Sequence, residues 1–271
     1  MTPLRNSDAH RAAGIVLAGG RSRRLGVDKA ALRLGEETLL ARAVRRLAVV
    51  CRPVIVVTAS ETAARALLAS AAGSGTAVHA LPVPGAGPSE GPAAVVADRW
   101  PGAGPLGGLA TGLGVLASVV GETAGGRTVG GQTADAGKTS EREPGGTESA
   151  NGQTLAAVVA VDMPFVAPAL LARLIAIALA EDRDAVVPVV GGRAQPLCAV
   201  YAARVASVAE DLLRGPRRAM HDLLEALGPR VAYVSEDVLR ADDPDLRSFF
   251  NINTLDDLTR AREIAIQQPE G

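Results

Sequence analysis

Aromatic rings are scarce in this chain. One Trp, two Tyr and three Phe amount to 2% of 271 residues. A platform for single-stranded nucleic acid needs several exposed rings, so that class of function is nearly excluded. Cysteine is equally sparse. Cys51 and Cys198 are the only two and stand far apart. They form no C-x-x-C pair, which argues against a structural zinc site and suits two free thiols in a reducing cytoplasm. An excess of one charge is missing too. Lys and Arg number 28 against 29 Asp and Glu, a net charge of -1. Binding to a polyanion or an anionic membrane surface therefore has no bulk electrostatic support. No run of about 18 uninterrupted apolar residues exists, so no membrane span is expected. The polar stretch Met1–Arg11 lacks the apolar segment of a secretory signal, so a cytoplasmic location is expected.

What remains is ordinary for a globular protein: 48% hydrophobic and 21% charged residues. With so few rings, the core has to be built from Ala, Val and Leu. Short apolar runs alternate with longer amphipathic ones. Gly14–Ala18, Val54–Val57, Ala93–Ala97, Leu155–Val161, Ala185–Val190, Leu197–Tyr201 and Val231–Val234 read as buried strands. Thr38–Val50, Glu61–Ala72 behind Ser60, Leu106–Val120, Pro168–Ala180, Ala203–Arg214, Arg217–Leu227 and Leu255–Gln267 behind Thr254 read as helices. Gly107, Gly108, Gly112 and Gly114 weaken the third of these. This alternation predicts an α/β fold, a doubly wound and mostly parallel sheet, as one domain over residues 13–267. Segment 121–154 departs from the pattern. Val129 is its only large aliphatic residue, and the rest is Gly, Thr, Ser and mixed charge. It is expected to be a disordered, low-complexity surface insertion within that domain, a linker between two domains being the alternative.

Ligands in doubly wound sheets sit beyond the carboxyl ends of the strands, and three motifs fall there. The first runs from Leu17 through Ala18, Gly19, Gly20, Arg21, Arg23 and Arg24 to Lys29, with Asp28 its one acid. Glycines at a strand end let backbone N–H groups approach a ligand, and four cations within nine residues suit phosphate. The spacing matches neither the Walker A loop nor the dinucleotide glycine fingerprint. A solvated basic loop is the other reading. The second motif, Val161-Asp162-Met163-Pro164-Phe165, closes the longest apolar strand. Pro164 forces Met163 into extended geometry. Asp162 is either a helix cap or a metal ligand. A carboxylate among phosphates requires a divalent cation, and Mg²⁺ characteristically bridges the two. In the third motif, from Phe249 to Leu258, Asn251 and Asn253 alternate with Ile252 and project to one face of an extended segment, or else serve a turn before the last helix.

Taken in order, these motifs resemble the molybdenum cofactor guanylyltransferase family, within the nucleotidyltransferases. Asp98-Arg-Trp-Pro-Gly-Ala-Gly-Pro-Leu-Gly-Gly-Leu109 and Gln195-Pro-Leu-Cys-Ala-Val-Tyr201 share the likeness, which spans roughly Gly14 to Arg262. The resemblance implies transfer of GMP from GTP to the phosphate of molybdopterin, with pyrophosphate released. It also implies Mg²⁺ as cofactor, and molybdoenzymes or their chaperones as recipients of the product. By position it places Leu17, Ala18, Gly19 and Gly20 against GTP through their backbone. Arg24 and Lys29 fall on the triphosphate, Asp98 on the nucleotide, and Asp162 on Mg²⁺ with Asn253 as a second ligand. Thr58 stands where relatives can place an Asn near the nucleotide, and Leu25 replaces a common Met. Base choice is not legible, so cytidylyl transfer stays open. A non-catalytic nucleotide-binding relative is the reading from another class, and intact Lys29 and Asp162 argue against it. His10, His79 and His221 join no motif. Arg217 and Arg218 read either as contacts to the acceptor phosphate or as a solvated pair at a helix start.

Overall fold

The computed structural model describes residues 12–19, 28–64, 78–80, 93–125 and 153–267. Gly20, Arg24, Leu25, the helix expected beyond Ala64 and the chain ends lie outside the described residues, as does 126–152.

The centre is a sheet whose middle strands are apolar but for Thr58 at the end of one of them. β1 (Ala13–Leu17), β4 (Val54–Thr58) and β7 (Leu155–Ala160) are buried at every position. Such continuous burial arises when both faces of a parallel sheet are covered. With β5 (Val78–Ala80), β6 (Ala93–Ala97), β8 (Ala185–Val190), β10 (Cys198–Ala202) and β11 (Val231–Val234), the order is β11-β8-β10-β7-β1-β4-β6-β5. β10 runs antiparallel to both its neighbours, and the other pairings along that order are parallel. The mostly parallel α/β fold expected from the sequence is therefore the observed one.

Side chains alternate across a strand, and two consecutive residues of β1 show what covers each face. A Cβ at Gly14 would lie 3.3 Å from Leu47 and Cys51, at the end of α1 (Leu39–Ala48). The next residue, Ile15, meets Gly112 of α2 (Pro105–Gly125). α1 and α2 thus cover opposite faces. α3 (Pro168–Glu181) packs beside α1 over β7, β8 and β10, while α4 (Val205–Arg214) and α5 (Met220–Leu227) pack beside α2. The glycines of α2 have a steric reason. A Cβ at Gly112 would stand 2.9 Å from Ile15 Cγ2, and one at Gly107 2.9 Å from the Trp100 carbonyl. The helix lies too close to the sheet and to its own leading turn for side chains there.

The core is aliphatic as composition required, with one fully buried ring, Tyr201, whose hydroxyl donates to the Pro196 carbonyl at 2.8 Å. Three short pieces escaped the sequence reading: β2 (Arg33–Leu34) with β3 (Glu37–Thr38), β9 (Arg193–Ala194) paired to β8, and β5. At two or three residues each they have no measurable periodicity. Helix α2 runs to Gly125, and Gln153 is buried, donating to the Arg183 carbonyl at 2.9 Å. The two ends of segment 121–154 therefore belong to the elements that flank it. Among the described residues no helix is long and apolar enough to cross a membrane.

Candidate active site

Parallel register brings the carboxyl ends of four strands to one edge. Leu17 pairs with Ala160 on one side and Val57 on the other, and Thr58 with Ala97. The residues just beyond continue the ladder. Val161 N–H donates to the Leu17 carbonyl at 3.1 Å, Ala18 N–H to Val57 at 2.8 Å, and Asp98 N–H to Thr58 at 2.7 Å. Leu17, Ala18, Asp98 and Asp162 thereby reach the same edge from β1, β6 and β7. A Cβ at Gly19 would only touch Ala59 at 3.5 Å, so among the described residues no neighbouring atom demands the glycine.

The second and third motifs are fastened together. Ile252 is fully buried and its N–H donates to the Asp162 carbonyl at 2.9 Å, while the rings of Phe165 and Phe250 meet at 5.8 Å. Asn253 is set by the start of α6 (Leu255–Gln267). Asp257 Oδ2 accepts the N–H groups of Asn253 at 2.9 Å and Thr254 at 2.8 Å, and Thr254 Oγ1 accepts the Asp257 N–H at 3.1 Å. These bonds, that from Asn253 first, hold the Asp257 carboxyl below its ordinary value. The arrangement is a capping box, legible in the Thr-x-x-Asp spacing, yet Asp257 was not singled out as a residue that positions Asn253.

The first motif closes the site. Asp28 accepts the Ala30 N–H at 3.0 Å and caps a turn of 3-10 helix over Lys29–Ala31. That turn carries Lys29, whose Nζ donates to Asp162 Oδ2 at 2.6 Å and to Asn253 Oδ1 at 2.8 Å. Residues 133 and 224 positions apart are thus joined by one ammonium, with 14% of the Lys29 side chain and 19% of the Asp162 side chain exposed. Asp162 is not the cap of the following helix. That N-cap is Ala167, with no side-chain bond.

Other sequence-marked residues have structural duties. Thr58 is 1% exposed, and its hydroxyl lies within donating distance of the carbonyls of Ser60 at 3.1 Å and Val96 at 3.3 Å. Asp98 Oδ1 accepts the Trp100 N–H and the Thr111 hydroxyl, both at 2.9 Å, tying the strand end to α2. Asn251 does not join Asn253; its amide turns back to the Phe249 carbonyl at 3.1 Å. Arg217 is matched by Asp222 and Glu225, and Arg218 donates to the Gly215 carbonyl at 3.0 Å. His221 is exposed beside Asp222.

A family profile, the MobA-like NTP transferase domain, matches residues 14–231. The chain belongs to that family. It is a nucleotidyltransferase; the first two motifs lie within the matched residues, and the third, Phe249–Leu258, lies beyond them. Two relatives are each named "Probable molybdenum cofactor guanylyltransferase". The protein from Chloroflexus aggregans is 32% identical over 259 residues, covering 90% of each chain. That from Pelotomaculum thermopropionicum is 30% identical over 254 residues, covering 94% of this chain and 93% of its own. Among solved structures, molybdopterin-guanine dinucleotide biosynthesis protein A from Archaeoglobus fulgidus aligns with a TM-score of 0.65 and 25% identity, over 94% of this chain and 100% of its own.

Proposed function

We propose that this protein transfers GMP from GTP to the terminal phosphate of molybdopterin, releasing pyrophosphate and forming the guanine dinucleotide form of molybdenum cofactor. The observation that carries the reading is the convergence of Lys29, Asp162 and Asn253 beyond β1 and β7. The names of the relatives support the choice of nucleotide and acceptor.

The reaction joins a phosphate oxygen of the acceptor to the α-phosphorus of GTP, while the bond from that phosphorus to the bridging oxygen of pyrophosphate breaks. The attacking oxygen is already ionised, so no general base is required. The work is positioning and charge neutralisation. The backbone of Leu17, Ala18, Gly19 and Gly20 lines the nucleotide. Lys29 and Arg24 meet the triphosphate, and charge-assisted bonds of this kind are about twice as strong as neutral ones. Asp98 and Thr58 shape the wall of the nucleotide site through the loop and strand ends they tie down.

The residues present fit Mg²⁺. Asp162 Oδ2 and Asn253 Oδ1 already point at a common cationic atom. A carboxylate and an amide carbonyl are hard oxygen donors, and Mg²⁺ usually takes one or two protein ligands together with phosphates and water. Bound there, the ion would neutralise charge on the phosphates as the new bond forms. The recipients of the product are molybdoenzymes or their chaperones. Labelled GTP tests the reaction class. With molybdopterin and Mg²⁺, label at the α-phosphate is expected in the dinucleotide and label at the γ-phosphate in pyrophosphate. Release of γ-label as inorganic phosphate alone would make the protein a hydrolase instead.

A further inference from the structure

The three-way contact at the site has a consequence for the order of events. Lys29 Nζ occupies the position toward which Asp162 Oδ2 and Asn253 Oδ1 converge, at 2.6 and 2.8 Å. These are the oxygens assigned above to the divalent cation, and Lys29 is the group assigned to the triphosphate. A metal bound to Asp162 Oδ2 would lie within a few ångströms of the ammonium, and two cations that close repel strongly in a partly dry site. Lys29 and the metal therefore exclude one another at these two oxygens. Before ligands arrive, Lys29 supplies the positive charge that faces the Asp162 carboxylate.

We propose that Lys29 is a built-in stand-in for the divalent cation. In the nucleotide-free protein it holds Asp162 and Asn253 in place and keeps the metal out. When the triphosphate binds, Lys29 passes to the phosphates and vacates the metal position. Nucleotide and metal binding are thereby coupled, each favouring the other by the same factor. This inference rests on the reading that Asp162 and Asn253 hold the cation. In this role Lys29 is a positioning residue before it is a phosphate contact. A merely structural lysine would weaken metal binding on removal, or leave it unchanged, whereas the stand-in role predicts a gain.

The test uses Mn²⁺ as the probe, followed by electron paramagnetic resonance, on full-length nucleotide-free protein. Lys29→Gln removes the charge but keeps an N–H donor for Asp162 and Asn253, so the fold has a substitute contact. It is expected to bind Mn²⁺ at least about tenfold more tightly than wild type, about 1.4 kcal/mol. Lys29→Gln/Asp162→Asn is expected to lose that gain. Equal or weaker binding by Lys29→Gln overturns the proposal. If the wild type binds Mn²⁺ at a site that Asp162→Asn abolishes and Lys29→Gln leaves unchanged, the stand-in role alone fails. If Asp162→Asn alters Mn²⁺ binding in no form of the protein, with or without GTP, the metal assignment itself fails. A wild-type measurement covers the case in which the variants do not fold. The Lys29 side-chain ammonium resonance should shift on adding GTP in EDTA, and an unmoved resonance contradicts the hand-over.

Discussion

At the scale of single residues, the account turns on Asp162. Its carboxylate is held by Lys29 and its carbonyl by Ile252, so the side chain is positioned independently of any cap. Asp162→Asn keeps the size and the hydrogen bonding of the backbone. The protein is expected to melt near the wild-type temperature while turnover falls by about 10²–10³, the effect of removing one transition-state electrostatic contact. Near wild-type pyrophosphate release from a folded Asp162→Asn protein would remove Asp162 from the mechanism. The cysteines give a prediction of the opposite kind. Burial pushes both Cys51 and Cys198 from 9.0 up to about 12. The native protein keeps these protons where the unfolded chain gives them up, so the unfolded state binds fewer protons above pH about 9. Stability should be unaffected by the thiols below that pH and fall as pH rises toward 12. Urea midpoints at pH 8 and pH 10 check the sign, and both thiols should react with a disulfide reagent only after unfolding.

At the scale of elements, the long apolar strands were readable and the shortest pieces were not. β1, β4 and β7 announce themselves because every residue is buried, a pattern that needs no partner to interpret. β2, β3 and β9 are two residues each, too short to carry a period, although Leu34 of β2 is fully buried in the core. The glycines of α2 made a weak helix on propensity, and only the structure shows that Gly112 is there because Ile15 is. Gly112→Leu should raise helix propensity yet lose about 1–3 kcal/mol by overpacking against β1. A lower urea midpoint is expected. An unchanged one would mean that α2 can move off the sheet. For the site, the sequence revealed Lys29, Asp162 and Asn253 as separate motifs, but not that one ammonium joins them, because contacts across 133 and 224 residues are set by strand order. It also paired Asn251 with Asn253 by alternation, whereas the Asn251 amide is used locally.

At the scale of the whole molecule, one sheet carries all the strand ends that build the site, and segment 126–152 joins α2 to β7. Its composition offers little apolar surface to bury. Replacing 126–152 with a short Gly/Ser linker, while keeping α2 to Gly125 and the buried Gln153, is expected to move the melting temperature by no more than about 2–4 °C, or ~1 kcal/mol. A larger drop would show that the segment packs. The choice of nucleotide is also a matter for the whole site, since the sequence singles out no base-reading residue. A competition between nucleotides therefore decides the assignment. The protein, Mg²⁺ and molybdopterin are incubated with an equimolar mixture of GTP, CTP, ATP and UTP, and the product is weighed by mass spectrometry. The guanine dinucleotide is expected in at least about tenfold excess over any other, equivalent to about 1.4 kcal/mol. A cytosine dinucleotide as the main product, or no dinucleotide at all, would contradict the account.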